Sequence, residues 1–309
     1  MKGLELSEAF FREYGMPMLK GDFPALLPHI AVGLVGAGSE CLGFDDDTSH
    51  DHDFDMGFAI FLPDESVVDR KEAFRLERAY AALPKEFMGY QRRRLSPTGG
   101  ARHGVLRLSD FLTEKTGTED GNLSLRDFLY LPEQSLLEAT NGRLFYDGNG
   151  AFSKIRERLS HLPEDVRRKK MAGELLLMGQ AGEYNLPRAL SRGDTASAQL
   201  SAVEFVKSAL HFIFLLNKSY LPYYKWQFRA MRDLPILSHL KDPLLSLIST
   251  PASEETVARV KEIADTLREV LESEGGSLKA NASLEECAYT VNAKIDDHTL
   301  RNLHILAGV

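Results

Sequence analysis

Between Gly33 and Phe61 the chain passes from a short apolar run, through a turn holding Gly36, Gly38 and Ser39, into alternating carboxylates at Asp51, Asp53 and Asp55. Residues two apart in an extended chain share a face. The three aspartates are therefore expected on one side of a strand, with His52, Phe54, Met56, Phe58 and Ile60 on the other. Carboxylates lined up along one edge repel each other and gain nothing from an apolar core. A divalent cation that prefers hard oxygen ligands removes the repulsion. The turn offers backbone N–H groups able to hold a phosphate. Order and spacing together point to metal-assisted chemistry on a nucleotide phosphate. The competing account is a solvated acidic turn, against which the interleaved large apolar residues argue for a partly buried strand.

The surrounding pattern predicts a small α/β domain followed by a bundle. A helix is expected over 6–19, strands over 30–35, 53–62 and 102–108, and a helix over 69–83. From about residue 125, apolar residues recur at three and four and β-branched runs nearly vanish, the helical pattern. Helices are predicted at 125–130, 132–140, 151–160, 164–183, 196–218, 222–232, 254–273 and 284–305. The domains are set at 1–124 and 125–309, with the boundary between about 113 and 130.

A net charge of −8 leaves no global basic field to hold long nucleic acid, so a small nucleotide or a protein partner suits the chain better. Two cysteines, Cys41 and Cys287, make no disulfide framework and fit a reducing cytoplasm. Cys41, beside Leu42, is read as a small packed residue. The apolar runs at 30–35 and 209–216 are shorter than a bilayer span, no signal segment is evident, and no membrane association is expected.

Gly38-Ser39, thirteen intervening residues, then Asp53-Phe54-Asp55 resemble the signature of the DNA polymerase beta-like nucleotidyltransferases. More narrowly, Gly38-Ser39-Glu40, Gly43-Phe44-Asp45-Asp46, Ser49 and Asp51-His52-Asp53-Phe54 resemble an uncharacterised bacterial branch, a domain of unknown function. Tyr184-Asn185-Leu186, Arg188, Glu204-Phe205, Leu215-Leu216-Asn217 and Tyr220 to Trp226 extend the resemblance into the helical half. It implies an α+β fold, a small mixed sheet followed by an all-α bundle. It also implies transfer of a nucleoside monophosphate from a nucleoside triphosphate to a hydroxyl of a small molecule or protein, with Mg2+ or Mn2+. Gly38 and Ser39 would hold phosphates, and Asp53 with Asp51 or Asp55 would be catalytic metal ligands. The branch usually carries glycine where Asp55 stands, so both pairings remain open. Lys225, Asn185 and Arg188 would contact the nucleotide or its phosphates.

One departure bears on activity. A third carboxylate is expected on the strand at 103–108, where this chain has Leu106 or Arg107, with Asp110 beyond the strand. Without it no base for a substrate hydroxyl is evident, and a nucleotide-binding regulatory protein is the alternative. Glu204 is weighed as a replacement base against a surface role. Arg92 to Arg94 with Arg102 and His103 read as a solvated loop edge that can also guide an anion. Zinc held by His50 and His52 is disfavoured because His52 faces away from the aspartates on a regular strand.

Overall fold

Ala31–Leu34, the apolar run before the glycine-serine turn, forms strand β1 at the interior of a four-stranded sheet. The computed structural model describes residues 1–46, 55–92, 103–273 and 281–309. The chain divides into two compact units, residues 1–123 with 131–160 and residues 124–130 with 161–309. The fold is α+β with a large helical part, as the sequence predicts.

In the first unit β1 pairs antiparallel with β2 (Ala59–Leu62), and β2 pairs parallel with β5 (Gly104–Arg107). A separate two-stranded ribbon, β3 (Glu86–Phe87) and β4 (Tyr90–Gln91), follows α3 (Arg70–Ala82). The fourth strand of the sheet is β6 (Arg143–Asp147), antiparallel to β1 on its other side. It displaces the predicted boundary. Residues 131–160, assigned from sequence to the bundle, carry α6 (Glu133–Thr140), β6 and α7 (Ala151–Leu159) and belong to the first unit. Strand β6 itself lacks β-branched residues, and its Leu144, Phe145 and Tyr146 suit an edge strand only because β1 leaves one side open for pairing.

Each face of the sheet has its own core. On one side Val32, Phe58, Ile60 and Leu62 pack with Leu6 and Phe10 of α1 (Gly3–Phe10), Leu19 of α2 (Met16–Asp22) and Leu76 and Tyr80 of α3. On the other, Phe61 meets Phe111 of α4 (Leu108–Thr116) and Phe152 of α7, with ring centroids 5.2 and 4.8 Å apart. The alternation of β2 between these faces is the period of two expected of an interior strand. Its ladder starts at Ala59 rather than 53; residues 55–58 lead in without strand pairing, and 53–54 lie outside the described residues.

The second unit contains α5 (Leu125–Tyr130), α8 (Glu164–Met178), α9 (Leu186–Ser191), α10 (Thr195–Leu216), α11 (Gln227–Met231), α12 (Lys241–Ser249), α13 (Glu254–Ser273), α14 (Leu284–Ala293) and α15 (His298–Asn302). Helix α10 is long and apolar enough to cross a membrane, but 61% of its apolar window is buried, and Phe205, Phe212 and Ile213 lie in the core of the unit. It is a core helix.

Two π-helical turns interrupt otherwise continuous helices. Phe11–Gly15 joins α1 to α2, and Gly179–Asn185 joins α8 to α9. Each precedes a proline at the second position of the next helix, Pro17 and Pro187. Proline lacks an N–H and its ring collides with the carbonyl four residues back. The wider turn, closed by Met16 N–H to Phe11 O and Leu186 N–H to Ala181 O, lets the helix continue past it. A glycine in each turn admits an aromatic ring: a Cβ on Gly15 would lie 2.5 Å from Phe58, and one on Gly182 would lie 2.5 Å from Phe205.

Candidate functional site

Strand directions collect the predicted turn and one predicted carboxylate at one end of the sheet. Gly33 opposes Ala59, Leu34 opposes Arg143, and Ala59 lies beside Gly104. The exit of β1 and the entries of β2, β5 and β6 therefore meet. Gly36, Gly38 and Ser39 leave β1 there; Asp55 precedes β2, His103 precedes β5, and Asn141 precedes β6.

The turn is built on open backbone. Gly36 and Gly38 have φ of +105° and +126°, a region closed to ordinary L residues. Ser39 then precedes a short 3-10 turn, Glu40–Leu42, and its carbonyl accepts from Leu42 and Phe44 N–H at 3.2 and 2.8 Å. Asn141 braces the turn from behind. Its Oδ1 accepts from Gly36 N–H at 2.9 Å, and its Nδ2 donates to Gly36 O at 2.8 Å. Gly142 N–H donates to Cys41 O at 2.9 Å. Arg156 Nη2 donates to the carbonyls of Thr140 and Asn141 at 2.6 and 2.5 Å, and its burial pushes the guanidinium pKa down. None of these struts is singled out by the sequence: Asn141 and Gly142 fall between the helices predicted at 132–140 and 151–160, and Arg156 falls within the second. Cys41 is buried, as expected of a packed residue.

Asp55 is a held carboxylate. Its Oδ1 accepts from Gly57 N–H at 2.8 Å, and its Oδ2 lies 3.8 Å from His103 Nδ1, both side chains being buried. Tyr80 closes the cluster, accepting from Phe58 N–H at 3.2 Å; burial, opposed by that bond, pushes its phenol up to about 12. Gly57 is needed for this approach, since a Cβ there would lie 2.9 Å from His103 Cγ and 3.0 Å from Tyr80 Oη. His103 is therefore no part of a solvated basic edge. Nor is Arg92, whose guanidinium donates to Tyr80 O and Ala81 O at 2.9 Å each and lies 5.1 Å from the Tyr80 ring centroid. Arg93, Arg94 and Arg102 lie outside the described residues.

Asp51 and Asp53, with Ser49, His50 and His52, also lie outside the described residues. Among the described residues no three His, Cys, Asp or Glu side chains are grouped to hold a metal ion. Strand β5 carries no carboxylate: Leu106 lies beside Phe61, and Arg107 donates to Pro63 O at 2.6 Å at the far end of the sheet. Asp110 is exposed in the first turn of α4.

The remaining predicted residues belong to the second unit. Asn185 closes the π-helical turn after α8 and Arg188 follows in α9; with Tyr184, Arg192, Asp194 and Ser197 they line a pocket of about 320 Å3. The Arg188 guanidinium stacks 3.8 Å from the Tyr184 ring centroid and donates to its hydroxyl. Asp194 caps α10, accepting from Ser197 N–H at 2.9 Å and Ser197 Oγ at 2.6 Å, and these bonds hold its pKa below the usual range. Lys225 follows the other end of α10 and does not line this pocket; it is exposed, with Nζ 5.1 Å from the Trp226 ring centroid. Glu204 is an exposed helical residue paired with Lys207 at 3.0 Å, a surface role.

A family model described as a domain of unknown function (DUF4037) matches residues 128–227. The match takes in Asn141 and Arg156, the pocket of the second unit and the segment from Tyr220 to Trp226, and does not include Gly33 to Phe61. No curated protein matches the chain.

Proposed function

We propose that this chain is a metal-dependent nucleotidyltransferase that moves a nucleoside monophosphate from a nucleoside triphosphate to a hydroxyl of a small molecule or a protein side chain in the cytoplasm. One observation carries the reading: a braced, glycine-built turn stands at the same end of the sheet as Asp55, which leads into β2. Ser39 and the backbone amides of the turn would hold the β- and γ-phosphates. Asp55 accepts from Gly57 N–H and lies 3.8 Å from His103, which favours Asp53 with Asp51, outside the described residues, as the pair that would hold a cation. Hard oxygen donors of this kind fit Mg2+ or Mn2+, which when bound would neutralise phosphate charge. The acceptor oxygen attacks the α-phosphorus, its bond forming as the bond to pyrophosphate breaks, and the hydroxyl proton is lost to a base. Lys225, Asn185 and Arg188 enter this reading as nucleotide contacts from the resemblance alone.

The lack of a carboxylate on β5 favours a second reading, a nucleotide-binding regulator without efficient transfer. Incubation with labelled ATP, GTP, CTP and UTP plus magnesium separates the two. Pyrophosphate release that disappears in Asp53→Ala supports transfer. Tight binding without turnover across many acceptors supports the regulator, and no magnesium-dependent binding removes both.

A further inference from the structure

We propose that the second unit carries its own site for a phosphate ester, lined by Tyr184, Asn185, Arg188 and Arg192 and independent of any metal. It gives Asn185 and Arg188, which the transfer reading takes as nucleotide contacts from the resemblance alone, a site of their own, and holds whether or not the chain transfers nucleotides.

Three features carry it. The pocket, at about 320 Å3, lies within the range of about 300–1,000 Å3 usual for small-molecule sites. Its charge is opposite to that of the chain as a whole. Two arginines and one carboxylate line it, and the Asp194 oxygens accept from Ser197, in a protein of net charge −8. Planar guanidiniums present paired N–H donors that match phosphate oxygens. Finally, one arginine is pre-set. Stacking on Tyr184 orients Arg188 before a ligand arrives, which lowers the ordering cost of binding. The π-helical turn puts Tyr184 and Asn185 on this wall, and such turns recur at functional sites.

The phosphate has two sources. In a nucleotide, a base would add stacking on the exposed Arg188–Tyr184 pair and an amide contact from Asn185. In a phosphorylated acceptor, the ester group alone would be recognised.

The test is calorimetric titration of the full chain in EDTA with AMP, ribose 5-phosphate and adenosine. AMP and ribose 5-phosphate bind and adenosine does not. Arg188→Gln and Arg192→Gln each weaken binding about tenfold or more, as expected for a lost charged hydrogen bond, with unchanged circular dichroism. AMP much tighter than ribose 5-phosphate assigns a nucleotide; equal affinities assign a phosphorylated acceptor. Asp53→Ala and Ser39→Ala bind AMP like the wild type. Loss of binding in either would mean that AMP occupies the sheet-end site, overturning this proposal and leaving the transfer reading standing. Equal binding of adenosine and AMP, wild-type affinity in both arginine variants, or no binding of any phosphate ester also overturns it.

Discussion

Asn141→Ala removes the brace behind the glycine-serine turn while leaving Gly36, Gly38 and Ser39 unchanged. The side chain makes two hydrogen bonds to one residue, at 2.9 and 2.8 Å, and Gly36 is buried. A neutral hydrogen bond contributes about 1 kcal/mol net, and an abandoned buried donor or acceptor costs about 1–3 kcal/mol. Partial access of water to the shortened side chain puts the expected loss at about 2–4 kcal/mol for the first unit, between the bare bond term and full desolvation. Asn141→Asp keeps the acceptor for Gly36 N–H, loses the donor to Gly36 O, and brings a negative charge to a turn read as a phosphate holder. It should lose less stability than alanine but more nucleotide affinity.

The assay has to see the first unit. Trp226, the single tryptophan, belongs to the second, so its emission does not report the sheet. Hydrogen exchange of peptides covering 31–46 and 141–147 does. Faster exchange in both, with unchanged protection in α10 and α13, is the expected result. A loss under about 0.5 kcal/mol, the range of an ordinary surface substitution, would refute the brace. So would an aspartate variant that binds triphosphate like the wild type.

The remaining predictions are shorter. Gly142→Ala should prevent folding of the first unit, because φ is +64° and the new Cβ would lie 2.0 Å from Leu34 O; soluble wild-type-like protein would contradict the packing. Asp194→Ala should lower the thermal midpoint at neutral pH by uncapping α10. Because the folded pKa of Asp194 is depressed, that advantage is present above the unfolded value near 4 and lost as pH falls through the folded one. Wild-type and variant midpoints should therefore converge in acid; a constant gap would deny the ionised cap. Magnesium triphosphate that engages Lys225 should change Trp226 emission, given the 5.1 Å approach of the ammonium to the ring, and Lys225→Ala should abolish the change. Gly57→Ala should loosen the Asp55–His103–Tyr80 cluster, seen as a lowered phenol pKa of Tyr80 as water enters; an unchanged phenol near 12 would mean the cluster absorbs the methyl.

Local pattern predicted local structure well. Helix α3 begins where Asp69 accepts from Glu72 N–H, a cap readable in the sequence, and α13 buries Val260, Ile263, Ala264, Leu267 and Leu271 at helical spacing. What escaped depends on partners distant in the chain. Strand β6 exists because β1, more than a hundred residues earlier, has an open side. Helix α12 is not among the predicted helices; its Pro243 stands in the first turn, where a helix tolerates proline. The predicted helix over 284–305 divides into α14 and α15, with Asp297 accepting from Leu300 N–H to start the second.

The site itself marks where period-two reasoning stops. Alternation placed Asp55 with Asp51 and Asp53 on one face, and it describes β2 correctly from Phe58 onward. At Asp55 a short-range competitor takes over. A carboxylate two residues before a glycine can capture that glycine's own N–H, as aspartate often does in turns. The capture needs Gly57, because only a residue without a Cβ lets His103 and Tyr80 approach so closely. Asp55 therefore has a structural task, holding Gly57 N–H beside His103 at the head of β5. Strand β5 carries no carboxylate, and the only ionisable side chain at its head, among the described residues, is the imidazole of His103, 3.8 Å from Asp55. Asp55→Asn separates the alternatives. A structural Asp55 tolerates the isosteric amide, whose Oδ1 still accepts from Gly57 N–H, and magnesium affinity stays unchanged. A metal-ligating Asp55 loses magnesium affinity with the fold intact.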